Sequence, residues 1–280
     1  MGVTAEQTTA GHPTIEQAAG ALAKDLPPGG REPLRPVLTL TEEELWVLTD
    51  GTLGVVPPRI AEPEDPAAAD LIRSVALRAL MARGLVLPRG TRGDGVDWEA
   101  AEPLGMALQL RELAPTVLGL HRALGPLAAD QDGKKGHADP EGTSAVRYLH
   151  LHEELGVIED VTDDGMHSLL PVFPDRYREA VADFIRPPDA VAGRGDVRHL
   201  EDSVGDLLDA LGSPTVLVEA SLVTGIGLGG PPPEPVGQML ALGPGGTFRS
   251  HDSRKYHPVD PDGVIAELLQ DALGGPASQE

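Results

Sequence analysis

The strongest periodic pattern in the chain runs through residues 39–87. Thr41 and Glu44 have the spacing of a capping box, in which hydroxyl and carboxylate satisfy free amides at a helix start. Leu45, Trp46 and Leu48 then fall on one side of a short predicted helix, and Gly51 and Gly54 let it end. Pro57, Pro58, Pro63 and Pro66 forbid regular structure until about residue 67. Beyond them Leu71, Ile72, Val75, Ala79 and Leu80 recur near the helical period, which predicts an amphipathic helix closed by Gly84. The apolar run Leu85-Val86-Leu87 predicts a short buried strand stopped by Pro88.

Residues 89–95 read as a turn cluster. Asp97, Trp98 and Glu99 read as the entry to a helix carrying Leu104, Met106, Leu108 and Leu110, and Pro115 separates it from an apolar segment over 116–127. Residues 129–144 show no apolar pattern and predict an exposed loop. The clearest strand signal follows. Polar and apolar positions alternate over 146–151, a second strand spans 155–161, Asp163-Asp164-Gly165 supplies a hairpin turn, and 166–173 returns. Pro174-Asp175 starts a helix with Tyr177, Ala180, Val181, Phe184 and Ile185, which Pro187-Pro188 stops. Its apolar side must cover the hairpin, because an isolated two-stranded ribbon is marginal in water.

The same plan returns downstream. A helix is predicted over 200–211, a β-branched strand over 215–223, and a flexible loop from Gly225 to Pro235. Met239 to Leu242 and Thr247 to Ser250 form a hairpin about Gly243-Pro244-Gly245-Gly246, and Asp260-Pro261-Asp262 caps a helix over 264–273. Both Pro171-Val172 and Pro258-Val259 end a strand, and each is followed by Pro-Asp and an amphipathic helix. This internal repeat predicts an α+β fold, a mainly antiparallel sheet with helices packed on it in two pseudo-symmetric halves. Residues 1–35 read as a flexible tail. Residues 36–275 read as one domain, with halves 36–128 and 145–275 joined by a loop.

Composition narrows the possible functions. The 280 residues hold no run near the length of a membrane span, and the first residues lack a basic region followed by an apolar one. With zero cysteines there are no disulfides, no thiolate nucleophile and no cysteine zinc site, and the cytoplasm is the default location. A formal charge of -22 argues against nucleic-acid and anionic-membrane binding, which need clustered cations. Arg73, Arg78, Arg83, Arg89 and Arg92 form the one basic patch. It reads as a solvated helix face, with an anion or acidic-partner site as the alternative.

Candidate chemistry is sparse. Gly225, Gly227, Gly229 and Gly230 have a dinucleotide-loop look, but Pro231-Pro232-Pro233 prevents the helix that must meet a pyrophosphate. His150 and His152 share the spacing of some zinc ligands, with His167, His251 or His257 as a third. Exposed histidines on a polar strand face account for the pair as well. Ser144, Ser168 and Ser221 lack a nucleophile-elbow context, and Asp160, Asp163, Asp164, Asp260 and Asp262 suit turns and caps. No catalytic residue, metal or cofactor is expected. A winged-helix regulator is an alternative reading, since helix, helix and arginine-bearing ribbon follow one another over 42–98, and a histidine-site metalloenzyme is a weaker one.

The stretch from Leu40 to Ile60, the helix ending Ala79-Leu80-Met81-Ala82-Arg83-Gly84-Leu85, and the two later hairpin blocks resemble the EspG proteins of type VII secretion loci. The resemblance covers residues 38–273 as an order of elements, and departs from the family in the Pro/Gly-rich tail, the 129–144 insertion and the triple-proline loop. It implies a pseudo-symmetric α+β fold and a non-catalytic cytosolic role, binding small helical secretion substrates and keeping them soluble. From the residues themselves, the 239–250 hairpin is the candidate partner surface. Met239, Leu240, Leu242 and Phe248 offer adaptable apolar contacts, and Met239 faces opposite to Leu240 and Leu242, so one of them is exposed unless another layer covers it.

Overall fold

The computed structural model describes residues 37–49, 54–92, 95–124, 144–199, 210–226 and 234–274, together with Gly20. Expectations for the tail, for most of 129–144, for the 200–211 helix and for the middle of the Gly225–Pro235 loop lie outside these residues.

Antiparallel pairing alone builds the main sheet. Its ten strands are β1 (Leu38–Thr41), β4 (Thr116–Leu124), β5 (Ser144–Leu151), β6 (Gly156–Val161), β7 (Met166–Val172), β8 (Arg198–His199), β9 (Val216–Thr224), β10 (Val236–Gly243), β11 (Gly246–Ser250) and β12 (Lys255–Pro258). They lie in the order β1-β7-β6-β5-β4-β9-β10-β11-β12-β8. The chain is therefore α+β. β4 to β7 run as one meander and β9 to β12 as another, and the two meet where Leu120 pairs Ala220. Each meander passes into a helix, α4 (Tyr177–Ile185) after β7 and α5 (Pro261–Leu273) after β12. Asp260 caps α5 by accepting from the Gly263 amide at 2.8 Å.

These two helices seal one face of the sheet. Leu118, Leu120, Leu149, Leu151, Ile158, Val218, Leu240 and Leu242 point into a core closed by Tyr177, Val181, Ile185, Val264, Ile265 and Leu268. On the far face a second core sits over β6 and β7. It is closed by α1 (Glu42–Leu48), α2 (Pro66–Ala82) and α3 (Glu102–Glu112). Thr41 and Glu44 do form the capping box, and Glu44 also receives Arg83 from the end of α2 at 2.8 Å.

The structure corrects three local readings. Pro88 does not stop its strand. β2 (Val86–Arg92) runs on through it to pair with β3 (Gly95–Ala100) in a separate ribbon, with a register shift between Pro88 and Gly90. A two-stranded ribbon has free edges, where a residue without an N–H is tolerated. Leu87, expected in the core, is exposed. Asp97, Trp98 and Glu99 belong to β3, and the helix begins only at Glu102. On α2 the buried stripe is Ala76 and Leu80 flanked by Ile72, Leu77 and Met81. Leu71 and Val75 stay 62% and 52% exposed.

A strap over residues 186–199 returns across β11 and β12. Val191 N–H donates to Gly243 O at 3.2 Å, Gly193 N–H to Val259 O at 2.8 Å, and Thr247 Oγ1 to Val191 O at 2.8 Å. Gly193 fits because a Cβ there would lie 2.1 Å from Thr247 O.

Candidate partner-binding site

Among the described residues, the far face of the sheet is covered at its two ends and open in the middle. At one end lies the α1–α3 layer, together with Val56, which packs on Val146 and Val161. At the other, Leu211, Ala241, Phe248 and Tyr256 form a small core, and the Arg198 guanidinium stacks 5.7 Å from the centre of the Phe248 ring. Between them strand register assembles a trough. One row reads Gly237, Ser221, Gly119, Tyr148, and the next reads Met239, Glu219, His121. Side chains alternate by two along a strand, so all of these face away from α4 and α5. Their exposure contrasts with the sealed face: His121, Ala123, Glu219 and Gly237 are exposed, and Tyr148, Leu217, Ser221 and Met239 are half-buried. Gly119 keeps the floor low. A Cβ there would meet Ser221 Oγ at 2.8 Å and Tyr148 Cε1 at 3.2 Å. A cavity of about 50 Å³ opens at one end of the trough, lined by Val117, His150, Arg111 and Ile226 among others.

Of the hairpin residues named as a partner surface, Leu240 and Leu242 are fully buried under α4 and α5, and Phe248 is buried beneath Leu211 and Arg198. Met239 alone reaches the trough. A second layer covers this hairpin, which alternation within one strand pair cannot reveal.

His150 and His152 are not exposed on a strand face, but buried. His150 Nε2 lies 2.7 Å from Glu159 Oε2, His167 Nδ1 lies 2.7 Å from Glu159 Oε1, and Arg111 Nε donates to Glu159 Oε2 at 2.8 Å. His152 Nε2 instead faces Leu110 O at 2.7 Å. Burial by itself would raise Glu159, yet the Arg111 charge and the two histidine hydrogen bonds hold its carboxyl well below the usual carboxylate range. Burial pushes His150 down against the opposing pull of Glu159, and pushes His152 down against its bond to Leu110 O. Among the described residues no group of three or more His, Asp or Glu is disposed to hold a metal ion. Here the ring nitrogens and carboxylate oxygens bond each other, and a guanidinium sits among them. The alternation Val157, Glu159, Val161 signals this cluster, since it puts one charge at an inward position of an apolar strand.

Four of the five arginines of the basic patch bond locally. Arg73 pairs with Glu62, Arg83 with Glu44 and Arg89 with Glu99, while Arg78 Nε donates to Ser74 O. α2 does lead into the β2–β3 ribbon, as a wing would follow a helix, but three of these cations already have carboxylate partners.

Fold and trough together define an α+β protein whose main antiparallel sheet is sealed by helices on one face and, among the described residues, open at the middle of the other. No protein-family model matches the chain, and no curated protein sequence matches it. Among solved structures it is similar to the Mycobacterium tuberculosis type VII secretion system chaperone EspG5, determined in complex with the PE25-PPE41 dimer. The TM-score is 0.50 at 12% identity, over 87% of this chain and 98% of that one. The likeness is one of fold, and a distant one.

Proposed function

We propose that this chain is a non-enzymatic cytosolic chaperone or adaptor of EspG-like kind, which binds small helical type VII secretion substrates. The observation that supports this reading is the fold likeness to EspG5, a chaperone whose structure was determined with a bound protein dimer and nearly all of which aligns here. The open trough supplies a surface of suitable character, half-apolar at Tyr148, Leu217 and Met239 and polar at His121, Ser221 and Glu219. Helical partners dock through apolar anchors with a polar rim. No helix among the described residues is long and apolar enough to cross a membrane.

The test is a pull-down of the tagged full chain from its native host, read by mass spectrometry, alongside a Ser221→Arg variant that fills the trough floor. Small helical secretion substrates are expected with the parent and are lost by at least about tenfold with the variant, at unchanged melting temperature. Undiminished capture by the variant moves the site away from the trough, and absence of such substrates overturns the reading.

A further inference from the structure

The trough makes no use of the cluster beneath its edge, where Glu159 is 0%, His150 1% and His167 0% exposed. Glu159, an acceptor only when ionised, requires a proton on Nε2 of His150 and on Nδ1 of His167. That leaves His150 Nδ1 and His167 Nε2 as buried nitrogens with no hydrogen-bond partner among the described residues. With both rings neutral, the Glu159 and Arg111 charges cancel. A proton on either ring adds a net charge and a buried N–H with no acceptor.

The cluster also sits at a joint. Arg111 ends α3, and His152 holds the Leu110 carbonyl one residue before it, so both polar attachments fasten the last turn of α3 to the sheet. The other charged and titratable neighbours do not relieve an added proton. Arg59 from the 54–60 loop acts on Tyr148, beside Glu159 in register, and is a cation. Glu112 lines the cavity beside His150 but is exposed. On α1, Glu42 is engaged by the Arg59 and Ile60 amides, and Glu44 by the Thr41 amide and Arg83. Above α3 lies the core that contains both tryptophans of the chain, Trp46 and Trp98. The α4–α5 layer is on the other face and reaches this region through Tyr177, whose hydroxyl donates to the His152 backbone carbonyl at 2.9 Å and leaves the imidazole rings alone.

We propose that the Glu159 cluster is an acid-sensitive clasp, which holds α3 and the α1–α2 layer on the sheet near neutral pH and lets them loosen when His150 takes up a proton.

The experiment follows tryptophan emission and backbone hydrogen exchange of the full chain from about pH 7.5 to about pH 5, with exchange corrected for its intrinsic pH dependence. Histidines titrate over this range and ordinary carboxylates do not. The expected result is a red shift of the emission, together with protection of residues 102–112 falling on the order of tenfold per pH unit for each proton taken up. Residues 177–185 and 261–273 keep their protection. The double variant His150→Gln with His167→Asn retains an amide donor near each bonded nitrogen and is expected to lose the transition. The proposal is overturned by protection of 102–112 that does not change with pH. It is equally overturned by simultaneous loss in α4 and α5, or by a double variant that behaves as the parent. If that variant does not fold, the parent's His150 ring resonance decides: its titration must share the midpoint of the exchange, and a separate midpoint sinks the clasp.

Discussion

Glu159 shows how much one inward charge can organise. Its carboxylate accepts from three side chains on three elements, so Glu159→Ala removes a buried ion pair and two histidine hydrogen bonds together. The expected cost is about 3–5 kcal/mol, read from urea denaturation. The pH dependence has a definite sign. Folding depresses His150 below its ordinary value, so the unfolded chain binds more protons once pH falls through about 6.5. Stability is full above that value and declines on acidification. Glu159, depressed as well, adds a second loss only in the carboxylate range below it. A urea midpoint that rises between about pH 7 and about pH 5.5 would contradict this sign. In the hairpin, Leu242→Asp puts a charge into the sealed core and is expected to unfold the protein, whereas Met239→Asp, half-buried between the trough and the Leu211–Phe248 core, is expected to lower the melting temperature without unfolding the chain.

Elements in this molecule are held by short polar devices at their ends as much as by their apolar faces. The strap over 186–199 is the sharpest case. Gly193→Ala drives a methyl group against Thr247 O and the Pro258 Cα, which lies 2.8 Å from the same Cβ position, and is expected to cost about 1–3 kcal/mol by thermal melting. α2 illustrates the opposite. Leu71 and Val75 have no described partner layer, so Leu71→Lys with Val75→Lys is expected to change stability by no more than about 0.5 kcal/mol. A large loss would show that those side chains are covered after all.

At the scale of the whole molecule, charge and topology point the same way. The chain carries a formal charge of -22, and three of its five patch arginines hold a carboxylate. It is therefore expected to leave duplex DNA unshifted in a gel assay even at low salt, where a winged-helix regulator would bind tightly. The sheet sets two meanders side by side and puts a four-strand-wide floor, β5-β4-β9-β10, between two covered ends. β4 and β5 pair across residues 125–143, so the loop drawn between two halves joins neighbouring strands at the centre of the sheet.

Strands and caps with a local cause could be read in advance. The 146–173 hairpin, the Pro174 and Pro261 helix starts, the Thr41 capping box and the α+β class all depend on alternation, turn residues and proline, which act over a few positions. The inward Glu159 was legible by the same rule. What tertiary structure decided is which face each apolar residue would meet. Periodicity measures how residues are spaced, and it does not say how many layers cover a sheet. So Leu240, Leu242 and Phe248 are buried on two opposite faces, Leu71 and Val75 stand outside the stripe α2 buries, and Leu87 is exposed on a ribbon that continues past Pro88. The three partners of Glu159, His150, His167 and Arg111, come from three separate elements, and the trough exists only because β4 pairs β9. Long-range pairing brings these groups together, and local sequence carries no record of it.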